Sequence, residues 1–209
     1  MSRQYRAVLW VVIAINAAMF VVEIVFGGLS GSRSLQADAL DFLGDTATYG
    51  LSLAVIGRSR TFRSGAALVK GLSLLAMGLW VFGATAIAFF SAQTPEAPVM
   101  GAVGILALAA NLASVALLVR FKDGDANVRS VWLCSRNDAI GNVAVIGAAV
   151  AVALTGSALP DLVVAGAMSA LFLRSAGQIL RQALAELRAS GRGETAGEGA
   201  CGASAGHRH

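Results

Sequence analysis

The apolar positions of this chain fall into six long blocks, at roughly 7–29, 35–57, 65–91, 97–119, 131–155 and 159–184, each matching the about 20 residues a helix needs to cross a bilayer core. Turn chemistry or charge marks every break: Gly27-Gly28-Leu29-Ser30-Gly31-Ser32, Gly57-Arg58-Ser59-Arg60, Thr94-Pro95-Glu96-Ala97-Pro98, Lys122-Asp123-Gly124-Asp125 and Gly156-Ser157-Ala158-Leu159-Pro160. The pattern predicts an all-α membrane protein, a bundle of six transmembrane helices joined by short loops. Ala84 with Ala88, and Gly166 with Ala170, carry the small-residue spacing that lets such helices approach closely. After Leu187 the chain turns to Gly, Ala, Ser and charge, which divides it into a six-helix transmembrane domain, 1–187, and a flexible cytoplasmic tail, 188–209.

Charge gives the bundle a direction. Arg3 and Arg6 precede the first block, Arg58, Arg60 and Arg63 follow the second, Arg120, Lys122 and Arg129 follow the fourth, and Arg188 and Arg192 follow the sixth. The three intervening loops carry only Arg33. By the positive-inside rule both termini are cytoplasmic. Composition agrees with a lipid environment: of 209 residues 56% are hydrophobic and 13% charged, against about a quarter charged in a soluble domain. The net charge of +4 does not point to nucleic acid, because the basic residues lie between apolar blocks rather than among aromatics. Two cysteines, Cys134 in an apolar block and Cys201 in the tail, offer no disulfide framework, and the first block is too long for a cleaved signal peptide.

The acids are where the pattern breaks. Glu23, Asp38, Asp41, Asp45 and Asp138 all lie inside apolar blocks. An ionised group at mid-depth costs about 2.5–3.5 kcal/mol, so five without partners would cost roughly 12–17 kcal/mol. Arg136 is the one cation expected near them, and it is placed to snorkel outward. Protons, a cation, or both in alternation must neutralise the rest.

Their spacing narrows the choice. Asp38, Asp41 and Asp45 are three and four apart, hence on one helical face; Cys134, Asp138 and Asn142 are four apart and share a face of the fifth helix. Packed together antiparallel, these faces set Asp41 level with Asp138 and Asp45 level with Cys134. Three carboxylates and a thiolate suit tetrahedral Zn²⁺, with Cd²⁺, Co²⁺ and Fe²⁺ chemically open, whereas sulfur argues against Mg²⁺ and Ca²⁺. The same carboxylates carry protons, so metal and protons compete for one site, which is the chemistry of an antiporter. Asn16 and Glu23, seven apart on one face of the first helix, suit support of the site or lining of a pathway to it, as does Asp38. Asn111 is expected to hydrogen-bond between helices.

These motifs resemble the cation diffusion facilitator family of divalent-metal transporters. The similarity rests on Asn16 to Glu23 followed by Gly28-Leu29-Ser30-Gly31-Ser32, on Ala37-Asp38-Ala39-Leu40-Asp41-Phe42-Leu43-Gly44-Asp45, and on Cys134-Ser135-Arg136-Asn137-Asp138 with Gly141-Asn142. It implies a transport site at Asp41, Asp45, Cys134 and Asp138, metal/proton exchange by alternating access, and a homodimer. Many members carry His where this chain has Cys134, a change that favours a softer ion or brings in Asn142 as an extra ligand. The family's usual soluble domain after the sixth helix is not expected within 209 residues, which makes this a short form that dimerises through its membrane part. The implied activity is efflux of divalent cations, Zn²⁺ foremost, from the cytoplasm across the cell inner membrane in exchange for protons. The metal is then transported substrate, with no prosthetic group. A membrane metal sensor or non-transporting interaction subunit is the rival reading; an enzyme is disfavoured because no His lies in any block.

Overall fold

Six α-helices joined by short loops make up nearly all of the described chain: α1 (Arg3–Ser30), α2 (Arg33–Ala54), α3 (Arg60–Ser91), α4 (Ala97–Leu118), α5 (Ala126–Thr155) and α6 (Leu159–Cys201). A 3-10 turn, Val119–Phe121, extends α4. This computed structural model describes residues 3–54, 60–91, 93–121 and 126–201, the side chains of 52, 54, 60–64, 126–131, 133, 134 and 186–201 excepted. No strand occurs among the described residues, and the six helices coincide with the six apolar blocks.

Five of the helices, α1, α3, α4, α5 and α6, contain stretches long and apolar enough to cross a membrane; α2 does not. The reason is chemical: Arg33, Asp38, Asp41 and Asp45 all fall within its 22 residues. Its surroundings compensate, because α2 packs against every other helix of the bundle. α1 lies along α2 and α4, α4 along α5, and α3 pairs closely with α6. The outer surface is apolar, with Leu29, Ile87, Phe90 and Leu154 pointing away from the bundle, Phe90 85% and Leu154 82% exposed. Such faces are at home in hydrocarbon and costly in water.

The turns are built by the residues that mark them in the sequence. Gly31 ends α1 at φ 71° and Gly156 ends α5 at φ 64°, a left-handed conformation that glycine adopts without Cβ strain. Pro98, in the first turn of α4, stands where a missing N–H costs nothing. The loops at this end are tied together: the Glu96 N–H donates to the Ser30 carbonyl at 3.0 Å, and the Thr94 hydroxyl to the Gly156 carbonyl at 3.2 Å. Between α3 and α6, a Cβ on Gly78 would sit 2.9 Å from Leu173, and the Ser169 hydroxyl donates to the Gly78 carbonyl at 3.0 Å. The backbones can pair this closely only because position 78 has no side chain.

One contact anchors α2 from outside its own sequence. Asp161, buried in the first turn of α6, accepts from the Ser32 hydroxyl (2.7 Å), the Arg33 N–H (2.8 Å), the Ser34 N–H (3.0 Å) and the Ser34 hydroxyl (2.6 Å). A helix leaves its first N–H groups unpaired and concentrates positive charge there. Here a carboxylate of one helix caps another, and the N-termini of the parallel helices α2 and α6 meet at one negative charge.

At the other end α6 departs from expectation. Residues 188–201, expected as flexible coil, continue as helix to Cys201, giving α6 43 residues and a length of about 65 Å. The strong helix formers Gln182-Ala183-Leu184-Ala185-Glu186-Leu187-Arg188-Ala189 carry it past the apolar block, and after Pro160 no proline stops it. Residues 202–209, with His207 and His209, lie outside the described residues.

Replacing Asp161 by Ala strands several buried donors, at about 3 kcal/mol in total. Thermal unfolding of the purified protein in detergent should show a clear drop for Asp161→Ala; an unchanged midpoint would remove the cap from the account.

Candidate metal centre

The acids of α2 do share one face, and that face meets α5. Three contacts follow the antiparallel register in order: the Asn142 amide donates to Asp38, the Asp138 carboxyl meets Asp41 and Asp45, and the Tyr49 hydroxyl lies 3.4 Å from that of Ser135. Each step along α2 retreats along α5. Asp138 thus stands against both Asp41 and Asp45, and Ser135, next to Cys134, against Tyr49. The Cys134 side chain itself lies outside the described residues.

Asp41, Asp45 and Asp138 are half-buried, which leaves them reachable, whereas Glu23, Asp38, Asn16, Asn111 and Asn142 are buried. Among the described residues no three metal-binding side chains are already drawn into a coordination sphere. One reason is visible at Asp45, whose carboxylate takes a short hydrogen bond from the Tyr49 hydroxyl. Tyr49 is fully buried in an apolar cluster with Tyr5, Leu9, Val12, Ile13 and Leu118, so its hydroxyl is held in place by the packing of its ring.

The cation beside the acids is not the expected one. Lys70 of α3 brings positive charge to both Asp41 and Asp45. Arg136 is exposed, its guanidinium is 5.4 Å from the Trp132 ring centroid, and it donates to Asn137 at 3.5 Å. Lys70 stands five residues inside its apolar block, close enough to the basic loop at Arg58, Arg60 and Arg63 to be mistaken for one of its flanking charges.

The remaining polar residues have places of their own. Asn111 donates to the Asn142 carbonyl at 2.8 Å, linking α4 to α5, and Asn142 passes its own amide protons to Asp38. Both ends of the Asn142 amide are engaged, one with α4 and one with α2. Asn16 donates to its own Val12 carbonyl at 2.8 Å. Tyr49, Lys70 and Asp161 are functional neighbours that the sequence reading passes over. Tyr49 alone carried a signal, standing four residues after Asp45 on the same face.

Chemically, the arrangement offers three carboxylates from two helices and a sulfur position on one of them. Oxygen and thiolate donors in this number suit a divalent ion that accepts mixed ligands in tetrahedral geometry.

Comparison with known proteins bears on the whole helical region. A family model described as the cation efflux transmembrane domain matches residues 9–188. The chain is 31% identical over 186 residues to the zinc transporter ZitB of Escherichia coli (strain K12), an alignment covering 83% of this chain and 59% of that protein. It is 29% identical over 192 residues to ZitB of Yersinia pestis, covering 86% and 62%. With the metal cation efflux system protein CzcD of Cupriavidus metallidurans it shares 27% over 167 residues, covering 74% and 53%. The chain therefore spans between 53% and 62% of the length of these relatives.

Because the Tyr49 hydroxyl and a cation would compete for the same Asp45 oxygen, Tyr49→Phe should tighten Zn²⁺ binding by roughly 3- to 10-fold, the worth of about one hydrogen bond. Calorimetric titration of the purified variant measures this; weaker or unchanged binding would mean that Tyr49 supports the site instead of competing for it.

Proposed function

The chain belongs to the cation efflux family, a family of multi-pass membrane transporters rather than enzymes, and from that membership we propose that it exports divalent metal cations, Zn²⁺ foremost, from the cytoplasm in exchange for protons. Cd²⁺, Co²⁺ and Fe²⁺ are the further substrates that the donor set allows. Asp41, Asp45, Cys134 and Asp138 bind the metal as transported substrate, and the carboxylates carry protons when the metal is gone.

The observation that carries this reading is a meeting of carboxylates: Asp41 and Asp45 of α2 meet Asp138 of α5, and Lys70 brings positive charge to the first two. A divalent cation or protons can each offset the negative charge gathered there. A site that accepts either load and excludes both together exchanges one for the other. Leaving it empty would place uncompensated charge at membrane depth, at a cost of several kcal/mol.

Alternating access is part of this reading. α2 is fastened to α6 at Asp161 and to α5 through Asp38. Rocking of the α3–α6 pair against the rest of the bundle would open the half-buried acids to one side and then the other. The protein operates in the inner membrane with both termini in the cytoplasm, as a homodimer within the lipid bilayer. The names of its zinc- and cation-transporting relatives agree in substrate class. Asn16, Glu23 and Asp38 support the site from the direction of α1 and the N-terminal half of α2.

Purified protein in liposomes with an imposed pH gradient should move Zn²⁺, and Asp45→Ala or Asp138→Ala should reduce flux to that of empty vesicles. Flux that survives both substitutions would sink the site. Cys134→Ser should reduce Cd²⁺ flux more than Zn²⁺ flux, since the softer ion depends more on sulfur. Equal losses for the two ions would assign Cys134 to packing.

A further inference from the structure

Glu23 and Asp38 are buried acids to which the proposed exchange gives no proton or metal. The Glu23 side chain is fully buried on the inner face of α1, and neither carboxyl oxygen has a hydrogen-bond donor. What it faces is another carboxyl, that of Asp38, itself 1% exposed. Two ionised carboxylates in contact, out of water and with no donor between them, repel strongly. A single proton shared by the pair turns that repulsion into a hydrogen bond.

The surrounding amides say which partner carries it. Asn111 of α4 donates to the Asn142 carbonyl, which leaves the Asn142 amide protons to point at Asp38. Asp38 accepts at one oxygen from this directed chain, which stabilises its ionised form and favours the shared hydrogen on the Glu23 side. The same chain argues against a metal ion here, because an N–H donor aimed at Asp38 would repel a cation on that oxygen. The charged groups near the pair are few. Asp41 of α2 acts on Glu23, α4 and α5 contribute the neutral Asn111 and Asn142, and among the described residues no Lys, Arg or His acts on either carboxyl; Lys70 of α3 acts on Asp41 and Asp45.

We propose that Glu23 and Asp38 form a proton-holding pair separate from the metal centre, which gives up its proton when a divalent ion reaches Asp41, Asp45 and Asp138 and takes one back when the ion leaves. Asp38 lies one helical turn from Asp41, at a spacing of about 5–6 Å between Cβ atoms. A divalent ion there repels the proton and stabilises the second negative charge on the pair. The proton passes from the Glu23 carboxyl to solvent, and on metal release one proton returns from solvent to the same carboxyl. The coupling rests on the metal-centre reading; the pair itself does not.

Two measurements on the full chain in detergent separate these parts. Infrared spectroscopy of the unliganded wild type minus Glu23→Gln should show a protonated-carboxyl band belonging to the pair, lost in Glu23→Gln, whose amide replaces the shared hydrogen bond, while any band of the metal-centre carboxyls stays. Zn²⁺ titration calorimetry, in buffers of different protonation enthalpy, should find about one proton fewer released per Zn²⁺ in Glu23→Gln than in wild type, with the affinity change per pH unit falling about tenfold accordingly. Glu23→Met, of similar volume and without polar atoms, carries both readouts if the Gln variant unfolds. An unchanged infrared band overturns the pair. A preserved proton count overturns its coupling, and so does a second Zn²⁺ per wild-type chain that Glu23→Gln removes. Wild type that binds no Zn²⁺ overturns the coupling and the metal-centre reading together, while loss of the band still upholds the pair.

Discussion

A helix that carries three carboxylates can lie at membrane depth only if other helices enclose it, and this single constraint organises the molecule. Among the described residues α2 is the one helix without a stretch apolar enough to span a membrane, and it is also the one that touches all the others. The five apolar helices turn their outer faces to lipid and their inner faces to α2. Leu35, Ala37 and Ala39 are fully buried alongside Asp38, so the N-terminal half of α2 is enclosed on every side. Only around Asp41 and Asp45 does burial relax. The polar part of the bundle is therefore sealed at one end and accessible near its middle.

Within that enclosure the polar groups form a series rather than a cluster. Asp161 caps the start of α2; Glu23, Asp38, Asn142 and Asn111 follow in a closed network joining α1, α2, α4 and α5; then come Asp41, Asp138 and Asp45 with Lys70; and Tyr49 with Ser135 closes the series. The members differ in what they can release. The cap and the asparagines are committed to partners within the protein. The half-buried carboxylates face one another across α2 and α5, which makes them the place where an ion from outside gains most. Tyr49 donates to Asp45, and a neutral hydroxyl gives way to an incoming cation more easily than a charged partner does.

Much of this was legible along the chain. Long apolar blocks and turn residues suffice for six helices, because in hydrocarbon a helix must satisfy its own backbone. The i, i+4 spacing of Asp41 with Asp45, and of Cys134 with Asp138, suffices for two polar faces, and the antiparallel order of α2 and α5 sets Asp41 level with Asp138. What escaped depends on tertiary placement. Lys70 reads as one more charge near a basic loop until α3 is packed beside α2. Asp161 reads as an acid in the first turn of its own helix, and nothing local tells that it caps another. The helix beyond Leu187 escaped because Gly and Ser there suggested coil, although the alanines, Glu186 and Arg188 ahead of them carry a helix outward.

The account stands or falls on Asp41, Asp45, Asp138 and Cys134 closing around one ion. X-ray absorption at the zinc edge, on purified protein loaded with one equivalent of Zn²⁺, reads that shell directly. The account predicts four ligands, three oxygens near about 2.0 Å and one sulfur near about 2.3 Å, with the sulfur contribution gone in Cys134→Ser and the shell lost in Asp138→Ala. A shell of six oxygens, or one that keeps its sulfur in Cys134→Ser, would contradict it.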